Sequence, residues 1–177
     1  PTRDWEWIMH VNVMSQVYAM KRIIPIMMAQ KTHGAILNVA SIAGLVDTPG
    51  MPAYHASKFA SVGMSEATAY DLQRAGADIE MHVMCPGFVQ TDLYHTEEHR
   101  PKQYSDPSDP YYQSEAFLKG QQFAKYVITN GMPLDTILHF DPPTVQPIDF
   151  GSGQSDRQKW CTRCPCDGWD YVVSYFR

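Results

Sequence analysis

Two short apolar runs restrict the fold of this chain more than any other feature. "GAILNVAS", Gly34 to Ser41, and "IEMHVMCPG", Ile79 to Gly87, are nearly continuous in hydrophobic residues, and each is strand-length rather than helix-length. A strand apolar on both alternating faces suits a sheet covered on both sides, as parallel sheets are. Parallel neighbours need a long crossover connection. The segment between the runs supplies one: a helix is expected from about Ala53 to Arg74, stopped at "AGAD" by Gly76.

Upstream, Asp4 is placed to cap a helix in which Trp7, Ile8, Val11, Met14, Val17, Tyr18 and Ile24 recur at spacings of three and four, to about Ala29. Asn12 interrupts its middle, and Pro25 should bend it or open its last turns. Downstream, residues 88 to 113 are polar, aromatic and broken by prolines, as in a mobile loop or lid. "SEAFLKGQQFAKYVITNG", Ser114 to Gly131, has a serine cap and a glycine stop and reads as a helix. The order helix, strand, helix, strand gives an α/β fold with right-handed crossovers.

The charge balance narrows the function. A net charge of −5 and no Lys/Arg-rich run argue against a nucleic-acid partner, since phosphate binding needs a concentrated basic patch. The longest apolar runs, such as Ile23 to Ala29, are far short of the roughly 20 residues of a membrane span. No charged-then-apolar leader opens the chain, so the expected location is the cytoplasm. Small-molecule chemistry is the expected business.

Candidate chemistry gathers at one sheet edge. In open parallel sheets ligands sit outside the carboxyl ends of the strands. Ser41 ends the first run, and Tyr54 begins the helix that leads to the second. Lys58, four residues on, shares a helix face with Tyr54. An ammonium beside a phenol favours the phenolate and lowers its pKa from about 10. A serine hydroxyl nearby can hydrogen-bond a carbonyl or alcohol oxygen, which makes a site for moving a proton to or from C–O.

Asn12 in "HVNVMS", Ser41 in "NVASIAG", Tyr54-x-x-x-Lys58 and "CPGFVQTDL", Cys85 to Leu93, together resemble the short-chain dehydrogenase/reductase family in order and spacing. The resemblance covers roughly Asp4 to Gly131. It implies a partial Rossmann-type doubly wound parallel sheet and hydride transfer between NAD or NADP and a small-molecule ketone or secondary alcohol. By the same resemblance Tyr54 is the general acid/base, Ser41 orients the substrate oxygen, and Lys58 lowers the tyrosine pKa and binds the nicotinamide ribose. Asn12 holds a water that links Lys58 to solvent, and Pro86, Gly87, Val89 and Thr91 hold the nicotinamide end. The complete form is expected to be a homo-oligomer, because the family's counterparts of the two long helices pack across a dimer interface. His55 fills a variable slot of the motif and His82 falls within a strand, so both are read as structural.

The glycine-rich T-G-x-x-x-G-x-G turn and the N-N-A-G segment of the family do not occur in these 177 residues. Gly151-Ser-Gly153 lies after the catalytic motif and cannot substitute for the turn. The adenosine half of a cofactor site is therefore not encoded here, and NAD cannot be told from NADP. The chain alone is expected to be inactive and not to bind either cofactor, and a non-catalytic remnant serving at most as an interaction module stands as the alternative function. A sugar-nucleotide epimerase or dehydratase also shares Y-x-x-x-K, but "PGFVQT" and the compact 88 to 113 loop favour the simpler reductases.

Two domains are expected: a catalytic portion at 1–138 and an atypical tail at 139–177. The tail has no Ala, Leu, Met or Glu, yet holds three of the four cysteines and two of the four tryptophans. An out-of-frame reading, a divergent natural tail and a disordered extension all fit that composition. The thiols of "CTRCPC", Cys161 to Cys166, have no clear fourth ligand, so no metal site is expected.

Overall fold

The computed structural model describes residues 1–138 and, beyond them, the backbone of three strands at 145–147, 159–163 and 171–175. The "CTRCPC" thiols and the Gly151–Gly153 pair, on which a metal site or a phosphate turn would rest, lie outside the described residues. The chain opens with α1 (Thr2–Met9), a π-helical turn (His10–Met14) and α2 (Ser15–Gln30), forming one continuous helical path. The helix begins two residues before Asp4, which occupies its first turn and uses its carboxylate elsewhere. Asn12 lies within the π turn, so the interruption legible in the sequence is one wide turn and not a break. Pro25 is carried inside α2 on an exposed position, and the helix ends at Lys31, whose φ of +53° is left-handed.

β1 (Gly34–Val39) pairs in parallel with β2 (Ile79–Cys85), in register from Gly34 opposite Ile79 to Val39 opposite Met84. The crossover between them is α3 (Pro52–Arg74). Gly76, at φ +66°, closes that helix: its N–H donates to the Gln73 carbonyl and the Ala77 N–H to the Leu72 carbonyl, each at 3.0 Å. Such a reversal needs a left-handed residue, which glycine supplies without a side-chain clash.

The sheet continues beyond the parallel pair. β3 (Val145–Pro147), β4 (Lys159–Arg163) and β5 (Tyr171–Tyr175) are antiparallel to their neighbours, and the order is β1-β2-β5-β4-β3. β1 is thus an edge strand. The sheet is mixed, because the strands from the tail join β2 in the opposite direction.

Helices α2 and α3 pack on one face of β1 and β2. Met20, Leu72, Ile79 and Met81 form one buried cluster, and Ala40, Val62, Val83 and Cys85 another nearer the strand ends. Burying a side chain such as Met81 or Val83 completely contributes about 1.5–3 kcal/mol each. On the other face of β1, Leu37 and Val39 are 54% and 47% exposed. The apolar run that predicts a strand covered on both faces therefore shows an alternating pattern among the described residues.

After β2 the chain makes three short 3₁₀ turns, Leu93–His99, Lys102–Tyr104 and Pro110–Gln113, and enters α4 (Glu115–Thr129). Ser114 caps α4 by accepting the Phe117 N–H at 3.2 Å, as its sequence predicts. A five-residue helix, α5 (Leu134–Leu138), follows.

Candidate active site

Ser41 leaves β1 and caps the 3₁₀ turn Ile42–Gly44, its Oγ accepting the Ala43 N–H at 3.2 Å. The two strand ends stay together beyond the ladder: Ala40 N–H donates to the Met84 carbonyl at 2.7 Å and Ile42 N–H to the Pro86 carbonyl at 2.9 Å. This turn presses against α3. A Cβ on Gly44 would lie 2.6 Å from the Lys58 carbonyl oxygen, so only glycine lets the turn approach the helix at its motif lysine.

The Ser41 hydroxyl lies close enough to the Tyr54 hydroxyl to favour its ionised form. Ser41 Oγ donates to the Pro86 carbonyl at 3.4 Å. Burial pushes the Tyr54 phenol up, and the Ser41 hydrogen bond pulls it partly back by favouring the ionised form. Lys58 Nζ lies 5.6 Å from the centre of the Tyr54 ring. Burial lowers the pKa of Lys58, with Cys85 at the end of β2 opposing the shift. Burial is the largest influence on each of the two groups. Both groups have lost water, and that loss favours the neutral form of each.

Asn12 reaches the same end of α3 from the π turn. Its Nδ2 donates to Ser57 Oγ at 3.0 Å, and Ser57 Oγ donates to the Tyr54 carbonyl at 2.7 Å. The pattern repeats one turn on, where Ser61 Oγ donates to Gln16 Oε1 at 2.7 Å. Another turn on, Asn38 of β1 donates to Ser65 Oγ at 2.9 Å. Ser57, Ser61 and Ser65 are fully buried and four residues apart, so a polar seam runs along the packed face of α3. This stripe looks in sequence like small residues permitting close approach. The matching interval from Asn12 to Gln16 is the signal that identifies it as hydrogen-bonded.

Pro86 and Gly87 follow β2 directly beside Ser41. Val89 forms a parallel bridge with Met132, with Met132 N–H donating to Phe88 and Gln90 N–H to Met132, each at 2.8 Å. The segment is thus held by the chain leaving α4. Thr91 is exposed, and its hydroxyl contacts Val89 and Leu93 within its own turn at 3.4 Å. The structure brings Ser41, Tyr54, Lys58 and Pro86 together and joins Asn12 to them through Ser57.

The loop after this segment is fastened to α1. Arg100 donates to Asp4 at 2.7 Å and to both oxygens of Glu97 at 2.8 Å, and stacks over Trp7 and Tyr112. Tyr112 Oη donates to Asp4 at 2.7 Å, and burial together with that carboxylate pushes its phenol up to about 12. Arg3 pairs with Asp106 and Asp109. Tyr111, Tyr112 and Phe117 pack edge to face, so these tyrosines anchor the loop to the helices on either side. Phe88 and Leu93, nearer the site, are exposed. Arg100 and Asp4 carry no local signal in the sequence, because their partnership spans 96 residues.

No three His, Cys, Asp or Glu side chains converge on a metal position among the described residues, and no helix among them is long and apolar enough to cross a membrane.

The family model described as short chain dehydrogenase matches residues 1–102. A "CLA biosynthesis dehydrogenase/reductase" from Lactiplantibacillus plantarum is 87% identical over 137 residues, covering 77% of this chain and 48% of its own. A "D-beta-hydroxybutyrate dehydrogenase" from Rhizobium meliloti (strain 1021) is 30% identical over 127 residues, covering 72% of this chain and 48% of its own. The crystal structure of a short chain dehydrogenase/reductase from Burkholderia phymatum in complex with NAD superposes with a TM-score of 0.70 at 32% identity, over 74% of this chain and 46% of that one. The chain spans about half the length of these relatives.

Proposed function

The chain belongs to the short-chain dehydrogenase family, and from that premise we propose that residues 1–138 are the catalytic portion of an oxidoreductase acting with NAD or NADP on a small-molecule ketone or secondary alcohol. The observation that carries this reading is the meeting of Ser41, Tyr54 and Lys58 at the carboxyl ends of β1 and β2. Each supplies a different element of proton transfer to a C–O group.

The residues present fit the nicotinamide end of such a cofactor. A half-buried ammonium at Lys58 and a phenol at Tyr54 offer a donor set suited to ribose hydroxyls, and the backbone from Pro86 to Val89, with Thr91 beyond it, suits a carboxamide. A nicotinamide held there would supply the hydride donor or acceptor for the substrate carbon. Ser41 hydrogen-bonds the substrate oxygen, and Tyr54 gives that oxygen its proton on reduction or takes it on oxidation. Lys58 holds positive charge near the phenol when protonated, and Asn12 fixes the helix face beneath them through Ser57.

The names of the relatives support an alcohol or carbonyl substrate, since one is a hydroxybutyrate dehydrogenase and another a dehydrogenase/reductase. Exposed Phe88 and Leu93 beside the Pro86–Thr91 segment support apolar bulk on that substrate. The homo-oligomer belongs to the same proposal, supported by exposed Val11 and Tyr18 on the first helical path and Phe59 on α3. We assign the tail at 139–177 no part in the chemistry.

The test is a chimera in which the stretch shared with the Lactiplantibacillus relative is replaced by the corresponding residues of this chain. Oxidation of reduced nicotinamide is followed with a panel of ketones. Turnover that disappears in Tyr54→Phe is the expected result. Turnover that survives Tyr54→Phe, or a chimera that folds and binds cofactor yet acts on no ketone or alcohol, overturns the reading.

A further inference from the structure

His55 is 7% exposed, and both of its ring nitrogens are engaged by the loop that joins Ser41 to α3. Nδ1 lies 3.0 Å from the Ala43 carbonyl, which can only accept, so Nδ1 carries a hydrogen. Nε2 lies 3.2 Å from the Thr48 backbone nitrogen, which can only donate, so Nε2 presents a lone pair. The Thr48 hydroxyl, 3.0 Å from the same nitrogen, adds a second donor. One protonation state satisfies all three contacts: neutral imidazole with its hydrogen on Nδ1.

We propose that His55 is a positioning residue for the reaction, holding the two ends of the 43–48 loop as the neutral Nδ1–H tautomer and thereby fixing the Ser41 hydroxyl against Tyr54. The proposal rests on the catalytic roles given above to Ser41 and Tyr54. The connection is short. Ala43, whose carbonyl His55 holds, is the residue whose N–H donates to Ser41 Oγ. Tyr54, which Ser41 meets, immediately precedes His55 on α3. The four residues close a ring of contacts in which the imidazole sets where the loop sits and the loop sets where the hydroxyl sits. A displacement of about 1 Å in such a group is enough to slow chemistry severely.

Two measurements test this. In the 177-residue chain, long-range ¹H–¹⁵N correlation of the imidazoles, with His55 identified by its loss in His55→Gln, is expected to show Nδ1 protonated and Nε2 unprotonated at neutral pH. Nε2–H or an imidazolium would overturn the proposal. In the chimera, His55→Phe is expected to lower kcat roughly tenfold to a hundredfold with KM little changed. His55→Asn, which keeps a donor where Nδ1 stood, should restore most of it. Unchanged kcat in His55→Phe overturns the positioning role. If the unaltered chimera folds and binds cofactor yet has no turnover, the functional reading fails, and the role is decided by the Tyr54 titration in the 177-residue chain, assigned by difference from Tyr54→Phe. There, His55→Phe should move the phenol further upward as the Ser41 bond is lost, and His55→Asn should return it. A phenol unmoved in His55→Phe overturns the proposal.

Discussion

Asn12 and Ser57 are joined across 45 residues by a 3.0 Å hydrogen bond from Nδ2 to Oγ, and Ser57 passes its own hydrogen to the Tyr54 carbonyl. The π turn of the first helical path is thereby tied to the first turn of α3. Ser57→Ala removes both bonds at a fully buried position and leaves the Asn12 amide without that acceptor. The expected cost is about 1–3 kcal/mol, the range for stranding a polar group. Urea unfolding of Ser57→Ala, Asn12→Ala and the double variant should show a coupling of at least about 0.5 kcal/mol. Strictly additive single effects would mean that the bond contributes nothing to the packing.

Arg100 joins the loop after β2 to α1 through Asp4 and through the faces of Trp7 and Tyr112, with its side chain only 8% exposed. Glu97 is more open to water, so its pairing contributes less than the Asp4 contact. Arg100→Met should cost roughly 1–3 kcal/mol and raise the rate of proteolysis between Pro101 and Pro110. Arg100→Lys should behave much like it, because an ammonium cannot reach two carboxylates and stack at once. A loop equally resistant to protease in both variants would show that it is held by its other contacts.

What was legible in the sequence was local and periodic. The two apolar runs, the crossover helix, the Gly76 stop and the Ser114 cap all rest on signals within a few residues, and each has its counterpart in the structure. The grouping of Ser41, Tyr54 and Lys58 was legible because they sit where a strand end and a helix start must meet. Long-range pairings were not: Asn38 with Ser65, Gln16 with Ser61, and Arg100 with Asp4 become visible only when distant segments are placed together. The exposed Leu37 and Val39 show a different limit. An apolar run states what a strand can bury, while burial depends on what covers each face.

Tyr54 should be the slow phenol of the site. Burial raises its pKa above the ordinary value near 10, and the Ser41 hydrogen bond offsets only part of that. The sign for stability follows: the contribution is present below about 10 and lost as pH rises through the higher folded value, because only the unfolded chain ionises freely in that window. Ultraviolet difference titration should therefore show one tyrosine fewer among the late-titrating groups in Tyr54→Phe. The alkaline loss of stability should also be smaller in that variant. Ser41→Ala should move the phenol higher still, and an unmoved phenol would exclude the hydroxyl contact.

Lys58 has the opposite sign. Burial lowers its pKa below the ordinary lysine value, with Cys85 opposing, so the folded protein holds the ammonium at a cost. A depressed folded value means that stability is present above the ordinary value near 10.4 and lost as pH falls through the folded one. Neutral pH lies on the costly side. Lys58→Met, which keeps the aliphatic stem and removes the charge, is thus expected to stabilise the chain at pH 7, within the roughly 0.5–2 kcal/mol typical of relieving a destabilised functional position. The gain should shrink as the pH approaches about 10, where the wild-type amine no longer needs its proton. The same variant should abolish turnover in the chimera, since it removes the charge beside Tyr54. Urea midpoints at the two pH values decide the matter: a Lys58→Met chain that is less stable than wild type at pH 7 would show that interactions of the ammonium outweigh its loss of water.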